Sequence, residues 1–212
     1  MRKPLIKNSI HNPEYLYIHD KGGTFAYGLD QEWYPMLWQR RAGCGPTTAS
    51  TMMLYYQQRQ NPRQVEKEEA ILLMQQLWSL VTPGILGVHL LSQFTKGVGV
   101  FLPKLPYAMR EQTLKIPKAK EKRPSLAKVV DFLVASFEAD SPVAFLNLSK
   151  GALSNLDEWH WVTLVAVEQE GEGVYATLYD AALTWKIDLG LWLETTTRGG
   201  GFVSYQPVPG EA

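Results

Sequence analysis

The spacing of apolar residues changes partway along this chain. Between Pro46 and about Arg59, Ala49, Met52, Met53 and Tyr56 recur at i, i+3, i+4 and i+7, the period of a helix with one buried face. Pro46 suits a first helical turn, so the predicted helix starts at Cys44. A second helix is predicted over 64–81, with Leu73, Leu77, Leu80 and Val81 inward and Pro83-Gly84 closing it. A shorter third covers 86–96. From 103 to 123 the chain carries Pro103, Pro106 and Pro117, with Pro124 at its edge, and reads as an irregular connection. Ser125 then opens the clearest helix, because Leu126, Val129, Val130, Leu133 and Phe137 form one apolar stripe. After it the pattern becomes strand-like: Val143 to Leu148, His160 to Val167, Val174 to Tyr179, Thr184 to Asp188 and Phe202 to Pro207. Trp161 to Val167 is apolar on both faces, as a central strand covered on both sides should be. Residues 1–38 hold scattered aromatics without a helical period and read as extended arms or short strands.

Helices first and an antiparallel sheet afterwards mean an α+β fold. A length of 212 residues suits one domain. It divides into an N-terminal arm (1–38), a helical half (39–100), an irregular connection (101–124) and a helix plus antiparallel sheet (125–212). Hydrophobic residues at 45% and charged residues at 20% exclude a disordered or collagen-like chain. Lys plus Arg and Asp plus Glu both number 21, so the positive field that draws proteins onto nucleic acid is missing and no nucleic-acid partner is expected. The single cysteine, Cys44, has no internal disulfide partner, and four dispersed histidines give no metal-ligand spacing. No metal and no cofactor are expected. The first eight residues are basic but lack the apolar stretch of a signal peptide, and no window suits a bilayer. The expectation is a cytoplasmic protein with no membrane partner. Oligomeric state is not encoded in these patterns.

Chemistry is concentrated at few positions. Cys44 lies in Arg41-Ala42-Gly43-Cys44-Gly45-Pro46-Thr47-Thr48, where the predicted helix begins. A helix N-terminus stabilises a thiolate through aligned dipoles and unpaired N–H groups, and flanking glycines let a substrate backbone come close. The bland alternative is a small buried side chain. His11, His19 and His89 fall in the aromatic arm or a helical pattern and read as structural. His160 opens the central strand at its solvent edge. That strand turns near Glu170 and returns to Asp180, so a hairpin centred there sets His160 opposite Asp180. A carboxylate beside an imidazole fixes its tautomer and stabilises its cation, although Asp180 also suits the start of a turn. Gln39, five positions before Cys44, is a candidate oxyanion donor together with the Cys44 backbone N–H, or else a solvated loop residue.

The order Gln39, then Cys44-Gly45-Pro46-Thr47, then His160-Trp161-Val162, then Tyr179-Asp180 resembles papain-like cysteine peptidases. It is most similar to the bacteriocin-processing peptidase domain of bacterial ABC exporters and its stand-alone relatives. The resemblance implies a papain-like fold and a peptide or protein substrate. It implies Cys44 as nucleophile, His160 as general base and acid, Asp180 as the orienting residue and Gln39 as oxyanion donor. The family usually has one more residue between the glutamine and the cysteine. The same machinery serves an acyltransferase, and the same scaffold serves a non-catalytic peptide-binding module. A redox sensor built on Cys44 would lack a resolving cysteine. The remaining features read as structural: Lys118 to Arg123 as a solvated basic loop, Gly199-Gly200-Gly201 as a flexible turn, and Trp33, Trp38, Trp159 and Trp161 as core near the cleft.

Overall fold

The computed structural model describes residues 6–208. Its arm holds three short strands, β1 (Lys7–Ser9), β2 (Tyr17–His19) and β3 (Phe25–Tyr27). Next come α1 (Leu37–Ala42), α2 (Cys44–Gln60), β4 (Val65–Glu66), α3 (Lys67–Leu80) and α4 (Leu91–Phe101). The second half contains β5 (Met109–Ile116), α5 (Leu126–Glu138), β6 (Val143–Asn147), β7 (His160–Glu170), β8 (Gly173–Asp180), β9 (Leu183–Asp188), α6 (Leu189–Thr195) and β10 (Gly200–Pro207). The fold is α+β.

The main sheet runs β5-β10-β6-β7-β8-β9 with antiparallel neighbours throughout. β7 is long enough to need two partners on one side. β6 pairs its first half, Val143 opposite Leu164 to Asn147 opposite His160, and β1 pairs its second half at Ala166 to Glu168. A second, small sheet joins β2 to β3 and β4.

Strand alternation assigns the two faces. Phe202 of β10 packs with Phe145 of β6, Phe132 of α5 and Trp192 of α6, so α5 and α6 cover one face. The preceding residue, Gly201, lies under Leu91 of α4, and Trp161 of β7 stacks on Phe94 of α4, so α4 covers the other face. One hydrophobic cluster runs through both layers and the sheet.

Several elements differ from the sequence expectation. Residues 109–116 are not irregular: β5 is the edge strand, and its prolines sit outside it, where no ladder N–H is lost. The third helix is shifted to 91–101, because Gly84 and Gly87 form a tight turn in what its first half would have been. α1 and α6 are short helices that show too few turns to carry a period. α2 is buried almost all round, not on one stripe, since Thr47, Thr48, Ser50 and Thr51 are buried with its apolar residues. Two of these hydroxyls bond within the helix, Ser50 donating to Pro46 O at 2.7 Å and Thr51 to Thr47 O at 3.1 Å. Gly200 and Gly201 are not a flexible turn. They begin β10, and a Cβ on Gly200 would lie 1.9 Å from Leu146 O.

Candidate active site

Cys44 is the first residue of α2, and its setting is built by close backbone approaches. A Cβ at Gly43 would lie 2.4 Å from Gln39 O and 2.8 Å from the Tyr34 ring, and one at Gly45 would lie 2.9 Å from Val88. The two flanking glycines thus serve the chain's own packing. They let α1 press against one side of the α2 N-terminus and the 82–90 segment against the other. Cys44 itself is half-buried. Of the first turn, Pro46 has no N–H and the Thr47 N–H bonds to Gly43 O at 2.8 Å, so only the N–H groups of Cys44 and Gly45 remain as candidate donors beside the thiol.

His160 and Asp180 meet. Nε2 of His160 lies 2.9 Å from both Oδ1 and Oδ2 of Asp180. Their register differs from a direct pairing. Near the turn, Glu170 faces Gly173 and Ala166 faces Thr177; a bulge between Leu164 and Ala166 then shifts the ladder, so that Leu164 faces Leu178 and Thr163 faces Tyr179. Continued one step, this register sets Asp180 opposite Val162, diagonal to His160. Without the bulge, Asp180 would fall opposite Thr163 and out of phase with His160, since a one-residue slip exchanges the faces. The extra residue at Val165 keeps the pair in phase.

The His160 side chain is 13% exposed and that of Asp180 27%. Burial of the imidazole opposes its cation. Acceptance of its N–H groups by Asp180 and Cys44, together with attraction to their charges, outweighs burial and pushes the His160 pKa up to about 10. With Nε2 on Asp180, Nδ1 is the nitrogen left for Cys44. Beside the pair lies a cavity of about 10 Å³, bounded by Cys44, Gln31, Thr47, Thr163 and Asp180 among others. That is room for a single water molecule. Gln31 Oε1 and Thr47 Oγ1 on its wall are buried without a partner among the described residues.

Gln39 is buried on α1, one turn before Cys44. Its Oε1 accepts from Met36 N at 3.4 Å, and its amide makes no hydrogen bond to Cys44 among the described residues. It is therefore held at the same end of α2, with its side-chain oxygen turned to the start of α1.

Trp159, which precedes His160, was expected in the core. It is 38% exposed and Trp38 is 50% exposed, whereas Trp161 is buried. Trp159 has φ 58°, a left-handed backbone that is costly for a bulky residue. Its indole compensates: Nε1 donates to Leu86 O at 2.8 Å, and the ring stacks on His89. Trp161 Nε1 likewise donates to Val88 O at 2.6 Å. These two tryptophans tie the 82–90 segment to the start of β7. His89 is not on a helix but in that segment, and no spacing in the sequence marked it as a neighbour of His160. No group of His, Cys, Asp and Glu suited to a metal ion occurs among the described residues, and no helix there is long and apolar enough to cross a membrane.

No protein-family model matches the chain, and no curated protein matches it.

Proposed function

We propose that this protein is a papain-like cysteine peptidase or related amide hydrolase, acting through an acyl-enzyme on Cys44. The observation that carries this reading is Asp180 bonded to His160 with both carboxylate oxygens, while Cys44 opens a buried helix and its charge, with that of Asp180, favours the His160 cation. A cysteine, a histidine and a carboxylate in that order support the reading, because cysteine acyl transfer needs a nucleophile, a base and an orienting group.

In this reading the thiol proton already rests on His160, whose imidazolium holds the Cys44 thiolate as an ion pair, and the sulfur attacks the substrate carbonyl carbon. The tetrahedral oxyanion is held by the Cys44 backbone N–H and, after a side-chain rotation, by the Gln39 amide. Collapse breaks the C–N bond as His160 returns the proton to the leaving amine. A water molecule, deprotonated by His160, then releases the acyl group and restores the ion pair. Asp180 stays ionised and stabilises the imidazolium in each step. The substrate in this reading is a peptide or protein.

The test is the pH dependence of Cys44 alkylation by iodoacetamide in wild type, His160→Ala and unfolded protein. The reading expects rapid alkylation well below the pH at which an ordinary thiol ionises, lost in His160→Ala. Slow alkylation insensitive to His160→Ala would overturn it.

A further inference from the structure

A much larger cleft than the small cavity at Cys44 is present. It is an open groove of about 540 Å³ between the start of α4 and the exposed face of β5, β10 and β6. We infer that this groove binds an acidic stretch of a peptide whose adjoining bond lies at Cys44, an assignment that rests on the peptidase reading for its second half only.

Position comes first. Arg198, on one wall, lies over the Trp159 ring at 5.4 Å from its centroid, and His89, on the other, stacks on the same ring. Trp159 is bonded through the backbone to His160. The groove therefore starts at the catalytic histidine's neighbour and runs away from it along the sheet. An extended peptide leaving the His160 edge would enter it.

Charge comes second. Lys115, Lys118 and Arg198 line the groove, and none of the three has a carboxylate partner among the described residues. The three are grouped at one end. Gly199 packs on the Ile116 and Pro117 backbone, which sets Arg198 beside Lys118, and Gly201 faces Lys115 across the β10–β5 ladder. The one carboxylate of the lining, Glu111, is four residues further along β5, about 13 Å at the rise of a strand. In a chain with no net charge, three unpaired cations in one groove are a local field suited to carboxylates. Arg198 presents a fork that matches a carboxylate, and its guanidinium is pre-set by the indole beneath it. Leu91 and Leu146 supply apolar floor between the charges.

Two fluorescein-labelled peptides test this, one alternating Leu and Glu and the other alternating Leu and Lys, titrated by anisotropy against full-length Cys44→Ala protein at low and high salt. The Leu-Glu peptide is expected to bind at least about tenfold more tightly, with the preference shrinking as salt rises. The double variant Lys115→Glu with Arg198→Glu, made in the same background, is expected to abolish or reverse the preference. Lys128→Glu, on α5 at the opposite face of the sheet, is expected to leave it intact. Equal binding of the two peptides, or a preference that survives the double reversal, overturns the assignment. The outcomes separate from those of the enzyme test: a preference without an activated Cys44 keeps the groove as a peptide site and removes the peptidase, whereas an activated Cys44 without a preference removes the groove alone.

Discussion

Asp180 holds His160 with both carboxylate oxygens at 2.9 Å although the two residues are diagonal, not opposite, on the β7–β8 ladder. The diagonal is within reach of long side chains, and the bulge at Val165 keeps it in phase. Replacing Asp180 by Asn preserves the shape and removes the charge that favours imidazolium. The His160 pKa is expected to fall well below about 10, read from the imidazole proton shift in an NMR titration. In the peptidase reading, turnover falls by about 10² to 10⁴-fold. An unchanged His160 titration would show that Asp180 does not act on it.

Stability should follow the same group. The folded His160 pKa, about 10, lies above its ordinary value of 6.5, so the folded state holds this proton more tightly than the unfolded chain. The stabilisation is complete below about pH 6.5 and is lost as pH rises toward 10. Urea midpoints of wild type should therefore fall between pH 6.5 and 10 by more than those of His160→Gln. Parallel pH dependence in the two proteins would contradict it.

Trp159 combines a strained backbone with a held side chain. Trp159→Ala and Trp159→Gly both lose the bond to Leu86 and the stack on His89, but only glycine takes φ 58° at little cost. The glycine variant should be the more stable of the two by about 1 kcal/mol, measured by chemical denaturation. An alanine variant equal to or better than glycine would show that the left-handed conformation is not retained.

Asp140 is the buried anchor of the N-terminal arm. Its carboxylate accepts from His11 N at 2.8 Å and from the Tyr55 hydroxyl, and pairs with Arg59 Nε at 3.2 Å. Burial and the neighbouring carboxylate hold the Tyr55 hydroxyl protonated far above the ordinary tyrosine range. Asp140→Ala leaves a guanidinium and a hydroxyl without their partner and should cost about 3–5 kcal/mol. Asp140→Asn keeps an acceptor and the left-handed backbone that asparagine tolerates, and should cost less. Equal losses would mean that the negative charge, not hydrogen bonding, holds the arm.

Gly200→Ala tests the sheet beside the groove. The added methyl would lie 1.9 Å from Leu146 O, between β10 and β6, where backbone cannot give way cheaply. A loss on the order of 3 kcal/mol is expected by thermal or chemical denaturation. A near-neutral result would place Gly200 outside the ladder.

The α+β class was legible because its signals are local. A helix stripe such as Leu126 to Phe137 and a two-sided apolar run such as Trp161 to Val167 bury their faces whatever lies next to them, so the period alone reveals them. Cys44 at a helix start follows from Gly43 and Pro46, and His160 and Asp180 at strand ends follow from the turn between them. The rest depended on neighbours far along the chain. β5 is a strand because β10 offers it a ladder edge, a partner some ninety residues away. The threonines of α2 are buried because helices and sheet enclose it, which no single stripe encodes. The contact of His160 with Asp180 depends on one extra residue in β7. The placement of His89 and Arg198 on the ring of Trp159 joins three separate segments, and only their packing in three dimensions brings the groove to the edge of the His160–Asp180 pair.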